Sequence, residues 1–217
     1  MSQSNAENVL RDMVTLYASM NSYLDSGYVT RQLVETGLVH RISFSTLYQK
    51  PSFFRFTFFR PHGHPPLSHI VTQHVAGYDG REGYSLLKEH NEAQARVSIK
   101  SLSSAVARAT GISAGSAHTI GRLLLPEVGG LSILDLVSPR LEEETDIDGI
   151  TCYSITAQHP KGGERELWIE KDTLLLRKVI NLETTARTEE VRENIRINEP
   201  IESGLFAAQS AGDRKEK

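Results

Sequence analysis

The chain has 217 residues, of which 39% are hydrophobic and 24% are charged, and this composition is typical of a globular protein with an apolar core. Its net charge of -3 at pH 7 argues against a nucleic-acid binder, which usually carries a basic stripe. Because Cys152 is the one cysteine, an intramolecular disulfide is excluded, and a buried, unreactive thiol is expected in the strand-like run around it.

An amphipathic helix is predicted at about residues 6–24. Apolar side chains recur there with helical spacing and form one broad stripe that includes Val9, Met13, Leu16 and Met20. Ser26 and Gly27 are expected to end the helix. Such a wide stripe must pack on another apolar surface.

That surface is predicted in the next part of the chain. After a first strand at residues 28–37, two strands occupy residues 40–60, with a break at Pro51 because proline cannot donate a ladder hydrogen bond. Alternation places one apolar set on the same face of this strand pair: Ile42, Phe44, Tyr48, Phe54, Phe56 and Phe58. Helices must cover this face, or it must hold an apolar ligand.

The sequence pattern in the middle of the chain predicts a hairpin followed by helices. A proline-rich loop at residues 60–68 precedes two strands, 69–77 and 83–89, joined at Asp79-Gly80. Two short helices follow within residues 101–125, the first capped by Ser103 and the second preceding Pro126.

The last part of the chain predicts only antiparallel strands and a polar tail. Turn signals every eight to twelve residues separate the strands, at residues 140–147, 150–159, 165–170, 175–184 and 189–198. Alternation puts the Trp168 side chain on one face of the sheet and the Leu167 and Ile169 side chains on the other face. In the last strand it puts Val191, Ile195 and Ile197 inward, and Arg192, Asn194 and Arg196 outward. Residues 209–217 are expected to be disordered.

Several phrases in this order carry a resemblance to a known family. Residues 148–153 read DGITCY, and residues 167–178 read LWIEKDTLLLRK. The last predicted strand continues into residues 195–201, which read IRINEPI, and Leu205 and Phe206 follow it. With the leading helix and the helical insertion, they resemble the LolA/LolB-like superfamily of periplasmic lipoprotein carriers and outer-membrane lipoprotein-sorting proteins. The resemblance implies an α+β fold, an unclosed antiparallel β half-barrel of about ten strands with helices on its concave face. It implies one lipid-binding domain at residues 1–207 and a polar tail at residues 208–217.

The resemblance also implies a function. The protein is expected to bind the acyl chains of a lipid or lipoprotein, as a non-enzymatic carrier or chaperone outside the cytoplasm, with a leader removed. A sheet of about ten strands has more concave surface than one long and two short helices fill. Each buried methylene contributes about 0.8 kcal/mol. The expected cavity lining is Val9, Met13, Leu16, Met20, Ile42, Phe44, Phe54, Phe56, Phe58, Leu167, Ile169 and Ile195.

Two alternative functions stay open. A sensor domain of the same fold would bind a partner protein of the envelope. A metal-dependent hydrolase would use the histidines His62, His64, His69 and His74. This segment contains no carboxylate or thiolate, and the nucleophile-elbow, phosphate-loop and HExxH motifs are absent from the sequence. We therefore predict no catalytic residue, metal site, cofactor or nucleic-acid partner. We also predict no membrane span, because no stretch presents about 20 apolar residues.

Overall fold

The computed structural model describes residues 3–61, 71–89, 92–113 and 115–208. Its described helices are α1 (Gln3–Ser19), α2 (Leu102–Ile112) and α3 (Ser116–Leu124). The first six strands are β1 (Ser22–Leu33), β2 (Val39–Gln49), β3 (Phe53–Pro61), β4 (Val71–Asp79), β5 (Gly83–Glu89) and β6 (Glu92–Ile99). The second six are β7 (Val137–Leu141), β8 (Thr145–Ile147), β9 (Ile150–Gln158), β10 (Glu164–Glu170), β11 (Leu176–Leu182) and β12 (Ala186–Ile197).

All of these strands form one antiparallel sheet in the order β6-β5-β4-β3-β2-β1-β12-β11-β10-β9-β7, with β8 paired to β9. The two halves of the chain meet at β1 and β12, whose register runs from Tyr23↔Ile197 to Leu33↔Ala186. Within the described ranges β6 and β7 are the two edges, so the sheet is not closed. The predicted fold class, an unclosed antiparallel half-barrel with helices, is confirmed, with twelve strands rather than about ten.

One face of the sheet carries the core, as alternation predicted for the aromatic strands. In β3, Phe54, Phe56 and Phe58 are at most 1% exposed, whereas Phe59 on the opposite face is 40% exposed. Phe44 of β2 lies directly across from Phe58. Aromatic side chains of neighbouring strands therefore pack into one continuous surface.

The three helices lie on this inner face. From α1, Leu10, Met13 and Tyr17 are buried in the same cluster as the phenylalanines. The contact between α2 and α3 is close, because a Cβ on Gly121 would come within 2.5 Å of Val106 Cγ1. Among the helices described, none combines the length and apolar character needed to cross a membrane.

The prediction for the first helix was wrong at its end. The helix ends at Ser19 rather than at residue 24, and β1 begins at Ser22. Because β1 pairs with β2 on one side and β12 on the other, its backbone hydrogen bonds are satisfied as a strand, which outweighs the helical spacing. Met20 stays buried in the connection, and Gly27 lies within the strand, where a Cβ would collide with the Val191 carbonyl oxygen.

Other predicted boundaries also differ. The strand β6 was missed because its sequence, EAQARVSI, begins with poor strand formers. The cap of α2 is Ser101, not Ser103, since Ser101 Oγ accepts a hydrogen bond from Ser104 N at 3.2 Å. The run predicted at residues 140–147 is divided between β7 and β8. The predicted loop starts later, because Arg60 and Pro61 belong to β3, and its remainder and the polar tail from residue 209 lie outside the described residues.

Candidate functional site

The twelve residues predicted to line a cavity are packed together in one apolar cluster. Eight of them are at most 3% exposed: Met13, Met20, Phe44, Phe54, Phe56, Phe58, Leu167 and Ile169. The other four are partly buried against the same cluster: Val9, Leu16, Ile42 and Ile195. Ring centroids of Phe44 and Phe56 are 5.5 Å apart, and those of Phe56 and Phe58 are 6.3 Å apart. They form an apolar core in this structure, and their contact with a ligand stays a prediction.

A pocket of about 220 Å³ opens beside this core. It lies between α1, α3, β10 and a 3-10 turn at Ile133–Asp135. Its apolar wall consists of Val14, Leu123, Pro126, Leu131, Ile133 and Leu134. Its polar wall consists of His118, Thr119, Arg122, Ser132 and Arg165. The lining of the pocket therefore combines apolar side chains with two arginines.

The pocket cannot be predicted from one stretch of sequence, because four separate elements form it. One local signal was present, since His118 and Arg122 are four residues apart on α3 and so share a helix face. A second was the alternation of β10, which places Arg165 on the same face as Leu167 and Ile169. Their convergence depends on how α3 packs on the sheet. No periodicity within either element shows that packing.

A second set of residues that the sequence did not indicate is a buried network around Arg192 of β12. The Arg192 guanidinium is fully buried and forms ion pairs with Asp25 of β1 and Glu190 of β12. It also donates to the Ser116 carbonyl oxygen, in the first turn of α3, at 2.9 Å. Its Cζ lies 5.0 Å from the centroid of the Phe44 ring. Arg192 therefore connects two central strands to the helical cover.

The carboxylates of this network have further partners and an unusual environment. Asp25 accepts from Tyr23 Oη at 2.7 Å and from Thr46 N at 3.1 Å. Burial raises the pKa of Glu190, and the Arg192 charge opposes this only in part. Burial also opposes the charge of Arg192, but attraction to Glu190 and Asp25 outweighs it and raises the Arg192 pKa well above its usual value. These charges therefore depend on one another.

The prediction that Arg192 points outward and Val191 inward was wrong. Arg192 pairs with Gly27 on the inner face, whereas Val191 pairs with Tyr28. The physical reason is a β-bulge. Ser26 and Leu24 pair with Glu193 and Arg196, so β12 has one extra residue there, and Asn194 adopts a φ of 52°. Alternation changes phase at the bulge, which is why Ile195 and Ile197 still pack against the core.

The histidine alternative falls mostly on residues that the structure does not describe. His62, His64 and His69 lie outside the described ranges. His74 belongs to β4, where its ring stacks on Phe58 with centroids 4.6 Å apart, and burial lowers its pKa. Over the described part of the chain, no three His, Cys, Asp or Glu side chains converge in a way that could hold a metal ion. Cys152 is buried as predicted, and burial raises the pKa of its thiol to about 11.

The architecture resembles several solved structures at low sequence identity. Lipoprotein LppX of Mycobacterium tuberculosis matches with a TM-score of 0.54 and 13% identity, over 93% of this chain and 100% of that one. LprF of Mycobacterium bovis matches with a TM-score of 0.52 and 11% identity, over 92% and 95%. A LolA superfamily protein of Nitrosomonas europaea matches with a TM-score of 0.41 and 7% identity, over 94% and 97%. No family model matches the sequence, and no curated protein matches it.

These likenesses show the fold alone, because the identities are so low. The chain shares the fold of LppX and LprF. The antiparallel half-barrel with helices that the sequence resemblance implied is the fold found here.

Proposed function

We propose that this protein binds the acyl chain of a lipid or lipoprotein between the sheet and its helical cover. It acts without catalysis, as a carrier or chaperone outside the cytoplasm. One observation carries the proposal: the pocket of about 220 Å³ is continuous with the apolar core. Leu123 and Ile133 line the pocket and belong to the core cluster, and Val14 lines it and packs against that cluster. An acyl chain that enters the pocket would contact the apolar side chains of this cluster.

The size of the pocket sets how a long chain is accommodated. Ligand pockets are usually about 300–1,000 Å³, so the 220 Å³ pocket holds part of a chain. Further methylenes require the helical cover to move away from the sheet. The cover is suited to this at α2, which buries the small side chains Ala105 and Ala109 and so loses little apolar contact when it is displaced. Each methylene that enters contributes about 0.8 kcal/mol in return.

The shared fold supports the proposed location. LppX, whose fold this chain shares, is a lipoprotein. An apolar interior that lies beneath a helical cover suits a protein that handles acylated molecules in the envelope. We extend the same inference to the absence of enzymatic activity, since neither the pocket nor the Arg192 network contains a nucleophile paired with a base among its described residues.

The first test is whether acyl lipid is bound at all. Organic extraction and native mass spectrometry of the purified protein should show a co-purified acyl lipid. The protein freed of lipid should bind a fluorescent long-chain fatty acid. Thr119→Trp places an indole in the pocket, so it should weaken that binding by about tenfold, equivalent to 1.4 kcal/mol. Thr15→Trp on the exposed face of α1 is the matched control and should bind as the wild type does.

Failure of this test has a clear form. If Thr119→Trp is folded, as shown by circular dichroism, and binds the probe with wild-type affinity, the pocket is not the entrance for the acyl chain. If no lipid is extracted and the wild type binds no fatty acid, the proposed function is wrong. A tight complex with an envelope protein in the absence of lipid would then favour the sensor alternative.

A further inference from the structure

We propose that the polar wall of the pocket binds the anionic end of the lipid, through the guanidinium groups of Arg122 and Arg165. This inference rests on the proposed function and names the class of ligand: an amphiphile with one acyl chain end held in the core and a carboxylate or phosphate at the pocket.

Arg122 is the first reason. It lies in the last turn of α3 and lines the pocket, and its Nε is buried without a hydrogen-bond partner among the described residues. The described side chains also provide no salt bridge for it. An anion in the pocket would therefore be stabilised by a guanidinium group that has no described charged partner of its own.

Arg165 is the second reason. Its Nε donates to Asn181 Oδ1 at 2.6 Å, which fixes the guanidinium on the inner face of β10. No described carboxylate lies within salt-bridge distance of it. Burial lowers the pKa of Arg165, although Glu190 and Glu183 oppose this effect at longer range. The guanidinium is thus desolvated and oriented, and its remaining N–H groups have no charged partner in the described chain. Guanidinium groups in this condition bind carboxylates and phosphates through paired hydrogen bonds.

The composition of the wall gives the sign of the ligand's charge. Of the eleven lining residues two are arginines, one is a histidine and none is acidic. Asp135 belongs to the adjoining turn but does not line the pocket, and its carboxylate accepts a hydrogen bond from Ser132 N at 2.7 Å. The other lining residues are mostly apolar, and two of them, Leu123 and Ile133, belong to the core cluster. A ligand that matches both walls is anionic at one end and aliphatic at the other.

The experiment compares two ligands of equal chain length. Protein freed of lipid is loaded with a fluorescent long-chain fatty acid, which is then displaced by an unlabelled fatty acid or by the alcohol with the same chain. The wild type should prefer the acid by about tenfold, equivalent to 1.4 kcal/mol, because its carboxylate accepts hydrogen bonds from the two guanidinium groups. The double variant Arg122→Gln with Arg165→Gln should lose this preference and keep the affinity for the alcohol. A lysophospholipid with a terminal phosphate, compared with inorganic phosphate, extends the test to the second anion.

Controls separate a loss of the site from a loss of the fold. Arg108→Gln changes an exposed arginine of α2 that does not line the pocket, and it should keep the preference for the acid. If the double variant has a lower melting temperature than the wild type, Arg122→Lys with Arg165→Lys replaces it. This variant keeps both charges, so it should keep part of the preference for the acid over the alcohol.

The outcomes are distinguishable from those of the proposed function. If the wild type binds acid and alcohol equally, the anion site is wrong while acyl binding stands. If neither ligand binds, both proposals are wrong. If inorganic phosphate displaces the probe as well as the lysophospholipid does, the pocket is a site for free anions, and the proposal of a lipid end is overturned. A preference for either the carboxylate or the phosphate lipid supports the proposal and identifies the end group.

Discussion

Two sites beneath the helical cover contain arginine, and they differ in what surrounds it. Arg192 is fully buried and has two carboxylates and a helix carbonyl oxygen as partners. Arg122 is half-buried, lines an open pocket and has no charged partner among the described residues. In the first site the charge of Arg192 is paired within the chain, although the Arg192 Nε and the Thr46 Oγ1 find no hydrogen-bond partner among the described residues. The second lacks the anion that its charge requires.

This difference separates a structural role from a binding role. A buried charge whose partners are supplied by β1, β12 and α3 holds those elements in one arrangement. A charge that its own chain leaves unpaired is available to a ligand. The protein therefore has a fixed centre at β1, β12 and the first turn of α3, and a pocket open to a ligand at the last turn of α3 and at β10. The following variants test that division.

Replacing Arg192 and Arg122, each in its own variant, by methionine should give the largest difference in the free energy of unfolding. Arg192→Met keeps most of the side-chain volume but leaves Asp25 and Glu190 buried without a cation, so the free energy of unfolding should fall by about 3–5 kcal/mol. Arg122→Met removes a charge that has no described partner, so the change should stay within about 0.5 kcal/mol. Urea unfolding followed by circular dichroism measures both. Equal destabilisation by the two substitutions would contradict the division.

A smaller contrast is expected from alanine at two glycines. At Gly27, beside Arg192, a Cβ would collide with the Val191 carbonyl oxygen and lie 2.7 Å from Phe44 Cζ, so the strands must separate. Gly27→Ala should therefore lower the free energy of unfolding by about 1–3 kcal/mol. At Gly129, in the loop after α3, a Cβ would meet no atom within 4 Å, and Gly129→Ala is the matched control. Thermal melting of both variants checks this, and a stable Gly27→Ala protein would show that β1 and β12 can move apart there.

The sequence predicts the apolar half of this arrangement well. A strand between solvent and core exposes alternate residues to two environments, so the alternation around Phe54, Phe56 and Phe58 is a local property of β3. The Asp79-Gly80 turn is likewise local, since Gly80 adopts a φ of 90° that other residues rarely take. Most strands and all three helices were found from such local signals. Their order was enough to indicate the half-barrel.

The polar half depends on information that no single segment contains. Whether Arg192 faces inward is decided by the bulge at Asn194, and one inserted residue reverses the face of every residue before it. The end of α1 is decided by the pairing of β1 with two distant strands. The pocket requires Arg122 and Arg165 to meet across α3 and β10. Without knowledge of these long-range contacts, charged residues at alternating positions of a strand are predicted to face solvent.

The smallest expected effect concerns Glu190 and depends on pH. The buried network contains one cation, Arg192, and two carboxylates, Asp25 and Glu190, so one negative charge exceeds what the arginine neutralises. Burial raises the pKa of Glu190 above its ordinary value of 4.5. A carboxyl with a raised folded-state pKa contributes stability that is fully present below pH 4.5 and is lost as the pH rises through the folded-state pKa.

The effect of Glu190→Gln on stability should therefore grow as the pH rises above 4.5. Glutamine resembles the protonated carboxyl and leaves the Arg192–Asp25 pair neutral, so the variant should gain stability relative to the wild type as the pH rises above 4.5. Urea unfolding at a series of pH values measures the difference between the two proteins, and Glu193→Gln, at an exposed position of the same strand, controls for the loss of a carboxylate. A difference that is constant with pH would mean that Glu190 keeps the same charge in the folded and unfolded chain. The network around Arg192 would then hold both carboxylates ionised, and the fixed centre of the protein would tolerate an excess negative charge.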